Sequence, residues 1–173
     1  MTTDQLKALV RDVPDFPEPG IVFKDLMPLI GSGEAFRATI DQLAEWARPR
    51  SPDIILGAEA RGFIFGGALA YELGCGFVPA RKPGKLPWET VRETYELEYG
   101  SDSLEIHADA FANGARVIVL DDVLATGGTA HAKIDLVARL GGAVVGALFV
   151  IELTFLDGRK RLEGTDVHAL IAY

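Results

Sequence analysis

Two adjacent carboxylates, Asp121 and Asp122, precede a glycine-rich turn in the stretch VIVLDDVLATGGTA. The apolar run before them predicts a buried strand of a parallel sheet, and open α/β sheets bind ligands where such strands end. In the turn, Gly127 and Gly128 permit positive φ and a close approach of the backbone to a ligand. Because the free N–H groups of the following helix would face any anion there, the turn predicts a site for a phosphate monoester.

The acidic pair needs a different ligand from the turn, because a carboxylate repels a phosphate. Carboxylates accept hydrogen bonds from a vicinal diol, and they attract a divalent cation directly or through water. A phosphorylated sugar satisfies both halves, although an acidic pair at this position could instead cap the next helix. Neighbouring residues of a strand point to opposite faces, so both acids reach one sugar only if the backbone turns there.

Composition and motifs exclude several classes of protein. The 173 residues carry 17 Lys and Arg against 25 Asp and Glu, a net charge of −8 without a basic tail or a long basic run, which argues against nucleic-acid binding. The motifs of an NTPase P-loop and of a dinucleotide fingerprint do not occur. Cys75 is the only cysteine, which indicates a reducing compartment. With neither a signal peptide nor an apolar run of ~20 residues, we expect one cytoplasmic domain, residues 1–173, that contacts no membrane.

Hydrophobic periodicity predicts an alternation of strands and helices along the chain. Helices are predicted over residues 3–13, 33–48, 61–74 and 127–142. Strands are predicted over residues 53–58, 76–82, 95–100, 103–108, 115–122, 143–153 and 167–172. Prolines predict an irregular but packed segment over residues 14–31 and a mobile loop over residues 83–95. This order predicts an α/β fold with a mainly parallel sheet flanked by helices.

Basic side chains that an anionic ligand would need are concentrated at two predicted strand ends. Arg81, Lys82 and Lys85 place three positive charges within five residues. Arg61 follows the first strand of the predicted sheet, next to Gly62 in EARGF. Such residues are often only solvated surface charges. An acidic protein that binds phosphate groups nevertheless needs local cations of this kind.

The stretch VIVLDDVLATGGT resembles the signature with which type I phosphoribosyltransferases bind phosphoribosyl pyrophosphate (PRPP). FPEPGIVFKDLMPLI, GAEARGFIFGGALA, RKPGKLP and YELEYGSDSLEIH resemble, in order and spacing, segments of the members that use adenine, so the likeness covers roughly residues 14–154. The resemblance implies the type I fold with a small N-terminal hood segment that binds the base, residues 1–32, and a flexible catalytic loop, residues 83–95. It also implies transfer of the 5-phosphoribosyl group from PRPP to adenine, giving AMP and pyrophosphate in purine salvage.

The resemblance assigns the PRPP-binding residues of this sequence. Asp121 and Asp122 would hold the ribose hydroxyls. The 5-phosphate would be held by the turn, which consists of Ala125, Thr126, Gly127, Gly128 and Thr129. Further residues that would bind PRPP or AMP are Arg61, Arg81, Lys82, Lys85 and Tyr99. The reaction would be assisted by Mg²⁺ held mainly by PRPP, without a direct protein ligand, and also through water to the acidic pair.

The resemblance likewise assigns a base site and catalytic residues. The backbone of the hood segment would read the edge of adenine and the Phe23 ring would stack on it, with Val22 and Lys24 on either side. Glu98 would accept the proton at N7 of the base, and Arg61 and Lys85 would assist the departure of pyrophosphate. Because members of the family are commonly dimers, we expect a homodimer.

Two alternatives stay open from the sequence. The same transfer could use another purine base, such as xanthine, hypoxanthine or guanine. A PRPP-sensing regulator could keep the fold without catalysis, but it would need an output module, and the short N-terminal helix leaves no room for a DNA-binding domain.

Overall fold

A parallel sheet lies at the centre of the computed structural model, which describes residues 1–96 and 101–173. The helices are α1 (Thr3–Lys7), α2 (Met27–Gly31), α3 (Gly33–Ala47), α4 (Arg61–Leu73) and α5 (Gly128–Arg139). The strands are β1 (Arg11–Pro14), β2 (Val22–Asp25), β3 (Ile54–Ala58), β4 (Gly76–Ala80), β5 (Thr90–Glu96), β6 (Ser101–His107), β7 (Arg116–Leu124), β8 (Ala143–Glu152) and β9 (Val167–Ala172). Short 3₁₀ turns occur at Arg48–Arg50, Thr154–Leu156 and Gly158–Leu162.

Within the described residues the central sheet has five strands in the order β4-β3-β7-β8-β9, and every neighbouring pair is parallel. Helices α3 and α4 cover one face, where Phe65 belongs to the same buried cluster as Ile118. Helix α5 and the antiparallel pair β5–β6 cover the other face, where Leu136 is buried in one cluster with Val119. The α/β fold expected from the sequence is confirmed.

Strand β7 shows how the sheet directs its side chains to two layers. Ile118 and Leu120 belong to the cluster under α3 and α4, whereas Val117 and Val119 belong to the cluster under α5. Because both faces are covered, the strand is a continuous apolar run, as is usual in parallel sheets. Asp121 and Asp122 come next within β7 and continue this alternation, so their side chains point to opposite faces of the sheet.

The helices begin and end at residues with identifiable roles. Ser32 caps α3, because its hydroxyl accepts a hydrogen bond from the Ala35 N–H at 3.3 Å. Gly74, with φ of 70°, ends α4 in the left-handed conformation that glycine adopts without strain. In the part of the chain that the structure describes, none of the helices is both long and apolar enough to cross a membrane.

The N-terminal segment differs from the prediction. Helix α1 ends at Lys7 instead of continuing to residue 13, and Thr2 caps its N-terminus. Val13 lies in β1 and pairs with Phe23 in β2. The segment expected to be irregular therefore contributes to a two-stranded sheet and to α2. Pairing with β2 satisfies the backbone of β1, which makes the extended form more favourable there than further turns of a short, marginal helix.

The loop predicted over residues 83–95 is shorter in the structure, because β5 begins at Thr90. Strand β5 pairs with β6 over its whole length, from Thr90 opposite His107 to Glu96 opposite Ser101. Residues 90–95 are therefore strand and not loop. The cross-strand neighbours satisfy the backbone of this polar stretch, which the local sequence alone does not reveal.

A buried carboxylate on β6 bonds to the start of that shortened loop and to the strand that follows it. Glu105 is 4% exposed and accepts hydrogen bonds from the Gly84 N–H at 3.0 Å and from Arg92 Nη2 at 2.6 Å. The hydrogen bond from Arg92, aided by the one from Gly84, outweighs the effect of burial and holds the pKa of Glu105 below its ordinary value. The beginning of the loop and the strand that follows it are thus attached to one side chain.

Candidate active site

A cavity of about 240 Å³ opens where β3 and β7 end. We call it the strand-end cavity. Its lining includes Arg61, the acid pair Asp121 and Asp122, and the phosphate turn at residues 125–129. A larger cavity of about 460 Å³ lies on the outer surface of α3 and α4, around Arg48 and Glu72. The strand-end cavity is the better candidate site, because ligands of open α/β sheets bind at the carboxyl ends of the strands.

The phosphate turn presents backbone N–H groups to the cavity. Gly127 precedes α5 with φ of 84° and has no side chain that could satisfy the first N–H groups of the helix. A Cβ atom on Gly127 would lie 2.4 Å from the carbonyl oxygen of Gly158, so the turn packs directly on the 3₁₀ turn that contains Gly158. This arrangement leaves the positive end of α5 available for an anion.

The acid pair lies within β7, because the strand runs on to Leu124 without a turn at the pair. Both carboxylates nevertheless border the strand-end cavity. Asp121 accepts a hydrogen bond from Lys133 Nζ at 2.7 Å, and its other oxygen accepts one from the Asp122 N–H at 3.1 Å. Asp122 pairs with Arg61. The turn that the sequence argument required is therefore absent, and each acid is matched by a cation from a different helix.

Burial and repulsion alter the protonation of Asp122. Burial first, and then the neighbouring charge of Asp121, raise its pKa to about 6, while Arg61 acts in the opposite direction. The folded state therefore binds a proton at Asp122 more tightly than the unfolded chain does. It follows that ionised Asp122 reduces stability at neutral pH, as expected for a residue kept for a ligand rather than for folding.

The predicted basic cluster is attached to the rim of the cavity by Glu59, a lining residue. Glu59 accepts hydrogen bonds from Arg81 Nη2 at 3.2 Å and from the Lys82 N–H at 2.6 Å. Although burial opposes ionisation, these two bonds hold the pKa of Glu59 below its ordinary value. The Lys82 side chain pairs with Asp102 on β6, and the Lys85 carbonyl accepts a bond from Arg81 Nη1 at 3.3 Å.

The predicted base-binding residues lie on β2, next to Arg61. The Arg61 guanidinium lies 5.2 Å from the centroid of the Phe23 ring, so β2 is linked to the cavity through this arginine. Val22 is exposed. The Lys24 side chain pairs with Asp12 at 2.6 Å. Only the backbone of Lys24 is therefore available to face a base. The predicted residues Glu98 and Tyr99 lie outside the described residues.

Three residues near the cavity were missed by the sequence reasoning: Glu59, Lys133 and Gly158. The position of Lys133 could have been noticed, because it lies on the stripe that α5 buries, together with Leu136 and Val137. Gly158 gave no local signal, since its contact with the phosphate turn joins segments that are distant in sequence. The roles predicted for Arg61, the acid pair and the phosphate turn stay predictions, but the structure brings these residues together.

Comparison with known proteins agrees with this geometry. The family described as phosphoribosyl transferase domain matches residues 30–168. Because the match covers most of the chain, the protein belongs to the phosphoribosyltransferase family, and the resemblance noted in the sequence is confirmed.

Full-length relatives show which members of the phosphoribosyltransferase family this chain resembles. The adenine phosphoribosyltransferase of Thermotoga maritima is 56% identical over 97% of this chain and 97% of its own. The crystal structure of the Thermoanaerobacter pseudethanolicus enzyme of that name has 54% identity and a TM-score of 0.97, covering 99% and 100% of the two chains. The Saccharomyces cerevisiae enzyme, complexed with adenine, has 42% identity and a TM-score of 0.93, covering 97% of each chain. The chain thus falls among the adenine phosphoribosyltransferases.

Replacement of Gly127 by alanine tests the phosphate turn. We expect Gly127→Ala to lower the free energy of unfolding by about 2 kcal/mol, because it places a Cβ at positive φ and against the Gly158 carbonyl. The displaced turn should also bind ribose 5-phosphate more weakly in calorimetry. Gly67→Ala is the control, since no atom lies within 4 Å of a Cβ there. Unchanged stability and affinity in Gly127→Ala would contradict the assignment.

Replacement of Asp122 by asparagine tests the raised pKa. Between the ordinary value of 3.8 and about 6, the folded state holds a proton that the unfolded state has lost, so stability falls as the pH rises through this window. Asp122→Asn should therefore increase the free energy of unfolding by about 2 kcal/mol at pH 7.5 and much less near pH 4. Urea unfolding at both pH values measures this, with the exposed Asp109→Asn as control. An equal change at both pH values would refute the interpretation.

Proposed function

We propose that this protein transfers the 5-phosphoribosyl group of PRPP to adenine, giving AMP and pyrophosphate. The observation that carries the proposal is the strand-end cavity, in which an acid pair and a helix N-terminus stand side by side. A diol and a phosphate are the two groups that such neighbours bind, and PRPP carries both. Membership of the adenine phosphoribosyltransferases, one of which was crystallised with adenine, supports the choice of acceptor.

The phosphate turn and the acid pair fix the two ends of the ribose 5-phosphate unit. The N–H groups at the start of α5 and the Thr126 and Thr129 hydroxyls bind the 5-phosphate, while the acid pair accepts hydrogen bonds from the ribose hydroxyls. Both groups belong to β7 and the helix that directly follows it, so their separation is set by a short stretch of backbone. With the two ends held, C1 of the ribose can move between leaving group and base.

Arg61, Arg81, Lys82 and Lys85 stabilise the departing pyrophosphate. The Arg61 side chain is 42% exposed, and it can exchange its contact with Asp122 for one with the substrate. Arg81 and Lys82 are placed at the rim through Glu59. Positive charge at this position favours the transition state, in which negative charge accumulates on pyrophosphate and positive charge on C1.

Adenine approaches from the side of β2. The Phe23 ring, which lies beside Arg61, stacks on the base, and the backbone around it from Val22 to Lys24 reads the edge of the purine. Glu98 accepts the N7 proton, which makes N9 the better nucleophile, and Tyr99 joins it in binding the nucleotide. The loop that begins at Pro83 excludes water, because hydrolysis of PRPP is the competing reaction.

Magnesium is proposed as the cofactor, held mainly by the oxygens of PRPP. In residues 1–96 and 101–173, no three His, Cys, Asp or Glu side chains are grouped to hold a metal ion. Both acids already accept hydrogen bonds from basic side chains, which fits a water-mediated contact better than direct ligation. When bound, magnesium would screen the charge of the pyrophosphate.

Assembly is proposed from the family resemblance, and location from the single cysteine, which indicates a reducing compartment. We expect a homodimer, as is common among its members, and a cytoplasmic protein. Sedimentation of the purified chain tests the first proposal, since a monomer at assay concentration would contradict it.

A panel of bases tests the acceptor. Purified protein is given PRPP, magnesium and, in separate reactions, adenine, hypoxanthine, guanine or xanthine, and the nucleotide product is quantified. We expect adenine to be used preferentially by a factor of roughly 10⁴. A site that matches the hydrogen-bond donors and acceptors of adenine leaves its own buried polar groups without partners when an oxopurine is bound. Turnover of an oxopurine with adenine inert would disprove the proposal.

Replacement of Glu98 by glutamine tests the proton acceptor. Glu98→Gln should lower kcat by roughly 10²-fold, because general-base assistance is lost, while PRPP affinity stays unchanged. Steady-state kinetics and calorimetry separate these effects. Full activity in this variant would remove Glu98 from the mechanism.

A further inference from the structure

Lys133 is a buried cation next to the acid pair. Its side chain, which projects from α5, is 0% exposed, and Nζ donates hydrogen bonds to Asp121 Oδ2 and to the Leu120 carbonyl oxygen, each at 2.7 Å. Burial of an ammonium group is unfavourable unless it is paired. The ion pair with Asp121 supplies this compensation at the side chain that is expected to hold ribose.

Asp121 is restrained from three directions. Lys133 holds Oδ2, the Asp122 N–H donates to Oδ1 at 3.1 Å, and the missing side chain of Gly62 leaves the space in which Oδ1 lies. A Cβ atom on Gly62 would be 3.0 Å from that oxygen. Each carboxylate oxygen has a second lone pair, so Asp121 can still accept a hydrogen bond from a ligand in the cavity.

The two cations beside the acid pair differ in their freedom to leave it. Arg61 is partly exposed and lines the strand-end cavity, where it can turn toward an anionic ligand. Lys133 is enclosed between α5 and β7, where it makes its two bonds entirely within the fold. When Arg61 binds pyrophosphate, Lys133 is the cation that stays with the pair.

We propose that Lys133 is a positioning residue, which holds the Asp121 carboxylate correctly oriented to accept a hydrogen bond from a ribose hydroxyl. This inference rests on the proposed function, because it concerns the nucleotide that the strand-end cavity binds. Lys133 itself contacts no substrate. Its contribution is therefore expected only with ligands that carry the ribose hydroxyls.

A comparison of two ligands isolates this contribution. Calorimetry measures the binding of AMP and of 2′,3′-dideoxy-AMP to the wild-type chain and to Lys133→Met, which has similar length but no charge. We expect the variant to bind AMP roughly tenfold more weakly, the size of one hydrogen bond to a charged group, and dideoxy-AMP nearly as before. The preference for AMP should fall by the same factor.

Lys160→Met is the matched control. Lys160 is 73% exposed and pairs with Asp157 on the surface, so its replacement removes the same charge without affecting the acid pair. The control should keep the wild-type preference for AMP. If Lys133→Met also keeps that preference, or loses affinity for both ligands equally, Lys133 has only a structural role and the inference is wrong.

A measurement on the unaltered chain covers the case in which Lys133→Met does not fold. In protein labelled with ¹⁵N-lysine, the Lys133 ammonium signal should be protected from exchange and should shift when AMP binds, with a smaller shift for dideoxy-AMP. Equal shifts for both ligands would overturn the inference. Adenine turnover by the same preparation tests the proposed function separately, so a positioning role can fail while that function holds.

Discussion

Repulsion between two neighbouring buried carboxylates is the constraint around which the site is organised. Asp121 and Asp122 are 9% and 8% exposed, and burial makes an unmatched charge costly. The fold supplies one cation from each face of the sheet, Lys133 from α5 and Arg61 from α4. Because consecutive side chains of a strand point to opposite faces, this solution needs helices on both faces, which a parallel α/β sheet provides.

The two ion pairs differ in their exposure to solvent, and this difference suits a site that must bind and release an anion. The pair between Lys133 and Asp121 is enclosed, whereas the Arg61 guanidinium is partly exposed beside the cavity. Burial and the neighbouring charge of Asp121 raise the pKa of Asp122 in spite of Arg61. One acid is thereby fixed to the framework, and the other can change its partner as ligands enter and leave.

The elements around the site could be predicted from the sequence because their signals are local and strong. The apolar run of β7 and the glycines that follow it were sufficient to place the acid pair, the phosphate turn and α5. Features that depend on contacts between distant segments were not accessible. Val13 pairs with Phe23 in a short sheet, Gly158 packs on the phosphate turn, and Thr90 begins a strand because β6 lies beside it.

Attachment of the loop to Glu105 limits the region that the Lys85 ammonium group can reach. Gly84 is bonded to this buried carboxylate, and the carbonyl of Lys85 is bonded to Arg81, so the backbone around Lys85 is held to the sheet at two points. Ordering a free backbone residue costs about 1–2 kcal/mol, and here that cost has been met during folding. Lys85 can therefore search only the volume swept by its own side chain. A ligand that contacts this charge therefore meets a cation whose backbone is already fixed in place.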